Sequence, residues 1–221
     1  MIDLSQSRPF ASGANRLCFR HPDQPGRCLK VLKPDSLEQR YRRQSPAKRL
    51  LGKRRLDDNR QEHLGYGQPA IARRLGGPQE AALWQHLPRL YDDEITTLGR
   101  ANVSDLITDR SGHPSPTLEH YLRRPLTPEL ERAIDRFCRW LQDYGILTRN
   151  LLPHNLVVSN RSGQPELYLI DGLGAPSLQR LLAHQPSLRR RAIGRKIQRF
   201  HRRIRWELGG RRERWEAVQN R

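Results

Sequence analysis

A handful of residues spread along this 221-residue chain have the types and order to handle phosphate. Lys30 sits among β-compatible neighbours in Cys28-Leu-Lys-Val-Leu32, in a chain with five lysines beside 36 arginines. An acid follows on a segment that starts like a helix, Asp57-Asp-Asn-Arg-Gln-Glu62, and Glu80 competes with Glu62 after the Gly76-Gly-Pro78 break. Asn155 and Asp171 stand at opposite ends of a 16-residue hairpin, which brings their side chains toward each other. Gly13 makes a turn before the first strand. A lysine ammonium neutralises nucleotide phosphates, and a helical glutamate holds that lysine in place. An amide and a carboxylate oxygen can fix Mg²⁺ on those phosphates. Glycine lets a backbone approach phosphate with no Cβ in the way. Taken singly, Lys30 could be an edge-strand lysine facing solvent, Asn155 a strand-start residue and Asp171 a turn former. Their joint order is what points to nucleotide chemistry.

These residues need elements to hold them. Arg16-Leu-Cys-Phe19 and Cys28-Leu-Lys-Val-Leu32 have strand character, separated by the turn-rich His21-Pro-Asp-Gln-Pro-Gly26. A small antiparallel sheet is expected at the N-terminus. Helical pieces are expected from Asp57 and again over Gln79–Leu87. Thr127 as N-cap, Pro128 at N1 and Gly145 at C′ frame a helix ending at Tyr144. Leu130, Ile134, Phe137, Leu141 and Tyr144 give it one apolar face. Two strands, Asn155–Ser159 and Glu166–Ile170, then form the hairpin. Toward the C-terminus, Ile193, Ile197, Phe200, Ile204 and Leu208 recur at helical spacing with arginine on nearly every other side.

Composition removes several classes. No apolar run approaches the roughly 18 residues of a spanning helix. The N-terminal Met1-Ile-Asp-Leu-Ser lacks the regions of a signal peptide. Three cysteines, Cys18, Cys28 and Cys138, have no CxxC spacing, cannot all pair, and read as small buried residues in a reducing cytoplasm. Eight scattered histidines offer no zinc pattern. The net charge is +18. Residues 38–60 carry nine basic and three acidic side chains, and residues 189–214 twelve and two. Sixteen of the eighteen net charges therefore lie in two segments outside the proposed phosphate site.

Leu151-Leu-Pro-His-Asn155-Leu-Val-Val, followed by Tyr168-Leu-Ile-Asp171-Gly-Leu-Gly174, resembles the catalytic-loop and metal-aspartate region of protein-kinase-like folds. More narrowly, the chain resembles the bacterial YrbL family of PhoP regulatory network proteins. Phe10-Ala-Ser-Gly-Ala-Asn, Asp57–Glu62, Leu87-Pro-Arg-Leu-Tyr91 and Val103–Asp109 extend the likeness over about residues 5 to 205. The resemblance implies an α+β, two-lobed protein-kinase-like fold that binds ATP and Mg²⁺. Residues 1–105 would be the small lobe, with a basic insertion at 38–56 and a broken helix at 57–87. Residues 106–221 would be the helical lobe, with the metal hairpin at 150–172 and the basic helix at 188–208. It further implies Gly13 in the phosphate-covering loop, Lys30 as phosphate lysine and Glu62 as its partner. Leu106 to Thr108 would lie near the hinge that receives adenine, and Asn155 and Asp171 would hold Mg²⁺. The usual catalytic aspartate is replaced by Asn150, which cannot accept a proton at neutral pH, and the usual lysine after it by Leu152.

Two outcomes stay open: a phosphotransferase or a regulatory pseudokinase. The alternative from another class is a basic protein that associates with nucleic acid, or with an anionic membrane or glycolipid, without phosphotransfer. Specific nucleic-acid binding is not expected, because aromatics are few and no recognition motif is present. An anionic acceptor or partner is expected to dock on segments 38–60 and 189–214. The expected location is cytoplasmic, with peripheral contact to the inner membrane face if the apolar stripe of the C-terminal helix is free.

Overall fold

The computed structural model describes residues 1–174 and 185–219. The chain divides into two compact units, Met1–Leu64 with Pro88–Leu106, and Gly65–Leu87 with Ile107–Arg221. Its class is α+β and protein-kinase-like, with an antiparallel sheet in the first unit and mostly helices in the second.

Five strands form the sheet: β1 (Ala11–Ser12), β2 (Arg16–Arg20), β3 (Arg27–Leu32), β4 (Glu94–Thr96) and β5 (Gly99–Asp105). Their order is β1-β2-β3-β5-β4, with every neighbour antiparallel. Side chains alternate between the two faces. Leu17, Phe19, Leu29, Val31, Ala101 and Val103 occupy one face and pack with Ile2 and Leu4 as a core. Burying each of the larger ones fully is worth about 1.5–3 kcal/mol. The register puts Arg16, Cys18, Cys28, Lys30, Asn102 and Ser104 on the opposite face.

The basic segment with no clear apolar period is nonetheless folded. It forms α1 (Ser36–Arg42), α2 (Pro46–Arg49) and a 3₁₀ turn, Lys53–Leu56, in which only Leu56 is buried. Ion pairs link its pieces: Glu38 meets Arg42 at 3.0 Å and Lys53 at 2.5 Å, and Arg40 meets Asp58 at 2.7 Å. The next helix, α3 (Asp58–Tyr66), starts where Asp57 Oδ1 accepts the Arg60 N–H at 3.0 Å. The stretch expected as one broken helix of the first lobe is divided between the two units. Residues 57–64 belong to the first unit and residues 65–87 to the second. The latter carry two single turns, α4 (Pro69–Ala72) and α5 (Glu80–Leu83), in place of a continuous piece over Gln79–Leu87. Ala70, Ile71, Leu83 and Leu87 bind this stretch into the second core.

That second core is built around α7 (Pro128–Tyr144), which follows the short α6 (Leu118–Tyr121). Thr127 Oγ1 accepts the Leu130 N–H at 3.3 Å, and Gly145 ends the helix at φ +66°. The hairpin strands are β6 (Leu156–Ser159) and β7 (Glu166–Leu169). The long helix α8 (Pro186–Leu208) lays Ile193, Ile197, Phe200 and Ile204 into the same core. Its apolar stripe is therefore packing surface, with only the terminal Leu208 exposed, and the helix exposes Arg190, Arg191, Arg195, Arg199 and Arg205. Among the described residues no helix is long and apolar enough to cross a membrane.

Candidate functional site

On the polar face of the sheet, Lys30 Nζ lies 2.5 Å from Glu62 Oε1, with both residues at most 5% exposed. The other carboxylate oxygen, Oε2, meets Arg16 at 2.6 Å and accepts from Asn102 Nδ2 at 3.1 Å. One turn earlier on α3, Asn59 donates to the Lys30 carbonyl at 3.0 Å, while its own carbonyl accepts from Asn102 at 3.0 Å. Glu62 thus anchors two cations and an amide. Burial pushes its carboxyl up, but the Lys30 and Arg16 charges outweigh burial and hold it at about 2. Burial likewise works to lower the Lys30 ammonium, and the adjacent carboxylate leaves it above its ordinary value. Both groups are charged at neutral pH. Asn102 Oδ1 is a buried acceptor with no protein partner among the described residues, available to a water or a ligand.

Glu80, the competing acid, lies in the second unit and accepts from the Gly76 N–H at 2.6 Å and the Trp84 indole at 3.1 Å. Gly13 closes the β1–β2 turn by donating to Arg16 O at 3.0 Å. A Cβ there would meet only that oxygen at 3.8 Å, so the protein's own packing does not demand glycine. Leu106 is the last residue of the first unit, and its N–H is already bonded to Gly26 O at 2.8 Å. The Ile107 carbonyl accepts from Ser115 N–H, and that of Thr108 from Ser159 Oγ.

Within the second unit, the loop after α7 pairs with the segment after β7. Arg149 N–H donates to Gly172 O at 2.7 Å, and Gly174 N–H to Leu147 O at 3.1 Å. Asn155 is buried in a 3₁₀ turn, Pro153–Asn155, and donates Nδ2 to Asn150 O at 2.9 Å, which orients its amide. The backbone also ties the two ends of the hairpin, since Ile170 N–H donates to Asn155 O at 3.0 Å. Asp171, half-buried, accepts the Gly172 N–H on Oδ1 at 2.6 Å. Gly172 has φ +79°, and a Cβ there would come within 2.5 Å of Asn150 O and 3.1 Å of Asn155 Nδ2. Only glycine fits between the two asparagines. Asn150 itself is exposed and contributes its carbonyl to the loop.

An amide oxygen and a carboxylate are hard donors of the kind Mg²⁺ takes, along with phosphate and water. Among the described residues no group of three or more His, Cys, Asp or Glu could hold a metal alone. Asn155 and Asp171 offer two such oxygens, which would leave the remaining positions around a Mg²⁺ to phosphate and water.

Several positioning residues went unread in the sequence. Arg16, Asn59 and Asn102 complete the Glu62 cluster. Gln68 is buried and holds the loop by both Leu147 backbone groups, accepting from N–H at 2.8 Å and donating to the carbonyl at 3.3 Å. From α8, Lys196 donates to Arg149 O at 2.7 Å. Two signals were there in advance: Asn59 lies inside the Asp57–Glu62 segment, and Lys196 is one of five lysines in the chain.

The family described as PhoP regulatory network protein YrbL matches residues 2–205. A protein of Escherichia coli (strain K12) named "Uncharacterized protein YrbL" is 28% identical over 185 residues, covering 80% of this chain and 76% of that one. The protein of the same name from Shigella flexneri matches equally. Among solved structures, the Mycobacterium tuberculosis PknI kinase domain is 17% identical with a TM-score of 0.41, covering 86% of this chain and 70% of that one.

Proposed function

Because the chain belongs to the PhoP regulatory network protein YrbL family, we propose that this kinase-like protein binds a magnesium complex of ATP. The observation that carries the reading is the buried, doubly charged Lys30–Glu62 pair at 2.5 Å. Removing two ions from water costs several kcal/mol each, so such a pair is a poor device for stability alone. A lysine held charged and fixed in direction is what polyphosphate binding requires. Asn155 and Asp171 supply the oxygens that would hold Mg²⁺, which when bound neutralises phosphate charge. Among the described residues the Leu106 carbonyl and the Ile107 N–H have no hydrogen-bond partner, so these would meet the adenine edge, the Leu106 N–H being taken by Gly26 O.

The same reading assigns slow chemistry. Asn150 can orient an acceptor hydroxyl by hydrogen bonding but cannot take its proton, and loss of a general base costs roughly 10²–10⁴ in rate. Phosphoryl transfer depends chiefly on position and charge, so nucleotide binding does not require that base. The test is calorimetric titration and thermal shift with MgATP and MgADP. The expected result is Mg²⁺-dependent binding that Lys30→Met and Asp171→Asn each weaken at least tenfold, about 1.4 kcal/mol. No binding at millimolar nucleotide, or binding unchanged in both variants, overturns the assignment.

A further inference from the structure

The face of the sheet that carries Lys30 also carries two thiols. Cys18 is the register partner of Lys30, and Cys28 precedes Lys30 by two residues on β3. Both sulfurs therefore project to the same side. The Cys18 carbonyl is bonded to Phe10 N–H of the chain running into β1, at 2.9 Å. Toward β3, then, Cys18–Lys30 is the non-hydrogen-bonded kind of pair, whose side chains lie closer together. Cys28 is the diagonal neighbour of Cys18 across that pair, within the reach that diagonal contacts allow. All three cysteines are free thiols, but only Cys18 is half-buried, while Cys28 and Cys138 are buried.

The electrostatics of the two differ. The neighbouring Cys28 thiol, and then Lys30 and Arg16, act against burial to bring Cys18 down to about 7. Cys28 is raised, chiefly by its contact with Cys18 and by burial. Cys138 is pushed up to about 12 by burial in the second unit. Cys18 is thus the more exposed and more acidic thiol of the pair, Cys28 lies beside it, and Cys138 is buried in the second unit.

We propose that Cys18 and Cys28 form a reversible intrachain disulfide when a hydroperoxide is present, and that this modification weakens nucleotide binding at Lys30. The second clause rests on the ATP reading above; the first does not. The Cys18 thiolate attacks the peroxide O–O bond, forming a sulfenic acid and releasing water or an alcohol. The Cys28 sulfur then attacks the sulfenic sulfur, forming S–S, and the hydroxyl leaves as water with the Cys28 proton. The two thiols lose two electrons together, and the peroxide is reduced by the same two. A disulfide needs its Cβ atoms within about 4.5 Å, closer than diagonal neighbours in a sheet ordinarily stand. Closing that gap pulls β3 toward β2 at Cys28 and shifts Lys30, two residues on, against Glu62.

The experiment treats the reduced full-length chain with hydrogen peroxide and maps alkylated peptides by mass spectrometry with and without reductant. The expected product is a Cys18–Cys28 link, lighter by two hydrogens and reversed by dithiothreitol. Cys28→Ser should instead accumulate a Cys18 sulfenic acid that a dione reagent traps, and Cys138→Ser should behave as the parent. Links between chains, sulfinic acid at Cys18 without a link, or faster oxidation of Cys138 each overturn the proposal. A second arm compares MgATP affinity of oxidised and reduced protein, with a fall of about tenfold expected. A disulfide with unchanged affinity overturns the regulatory half. Failure of the reduced protein to bind MgATP overturns the nucleotide reading and leaves the disulfide result standing.

Discussion

The Glu62 carboxylate is the residue on which the most depends. Two cations and an amide converge on it from β2, β3 and β5. A side chain held at about 2 makes stability a function of acid. The contribution is fully present above the ordinary carboxylate value of 4.5 and is lost as pH falls through about 2. Glu62→Gln should flatten that acid limb in a circular-dichroism titration. It should also cost about 3–5 kcal/mol at neutral pH, because the buried carboxylate that pairs with Lys30 and Arg16 is removed. A parent-like urea midpoint in that variant would refute the account. Lys30 was legible because lysine is rare in this chain and sits within a strand-like run. Arg16 was not, because with 36 arginines in the sequence no single one stands out. Its burial is a property of the register, not of its neighbours in sequence.

At the scale of elements, the parts that could be read were those whose pattern repeats locally. Helix α7 has its cap, its stop and its apolar face written within 19 residues, and Thr127 and Gly145 both occupy the expected positions. The hairpin β6–β7 announced itself by polar turns. Strand β5 stayed hidden because Asn102 and Ser104 alternate with Ala101 and Val103 yet are themselves buried. Its polar side faces a helix instead of water, and local hydropathy does not distinguish the two. The turns at 69–72 and 80–83 were obscured by tertiary packing that cuts a helical pattern short. Gly172 shows how tightly the hairpin end is held against the loop before it. Gly172→Ala is expected to cost at least about 2 kcal/mol, from the left-handed backbone and the collision with Asn150 O. Chemical denaturation measures this, and an unchanged midpoint would mean that the loop yields freely.

At the scale of the whole molecule, the net charge of +18 is concentrated in residues 38–60 and 189–214. Helix α8 buries its apolar stripe and exposes Arg191, Arg195 and Arg205, so attraction to anions from this element is electrostatic. Duplex DNA as a polyanion probe should bind in low salt and release steeply as salt rises. Replacing those three arginines with glutamine should reduce the log–log slope by about 0.9 for each phosphate that is no longer neutralised. A slope unchanged by the replacement would place the binding elsewhere, and residues 38–60 are the other basic arm. The Glu62 cluster has a different consequence at this scale, one that a genetic screen would read. Arg16 and Lys30 both pair with Glu62, so losing Lys30 leaves Arg16 on that carboxylate, whereas losing Glu62 takes an ion pair from each. In a growing cell, quality control removes chains that unfold and spares those that merely fail to work. Alleles at position 30 should therefore accumulate as silent protein, while alleles at position 62 disappear from the proteome.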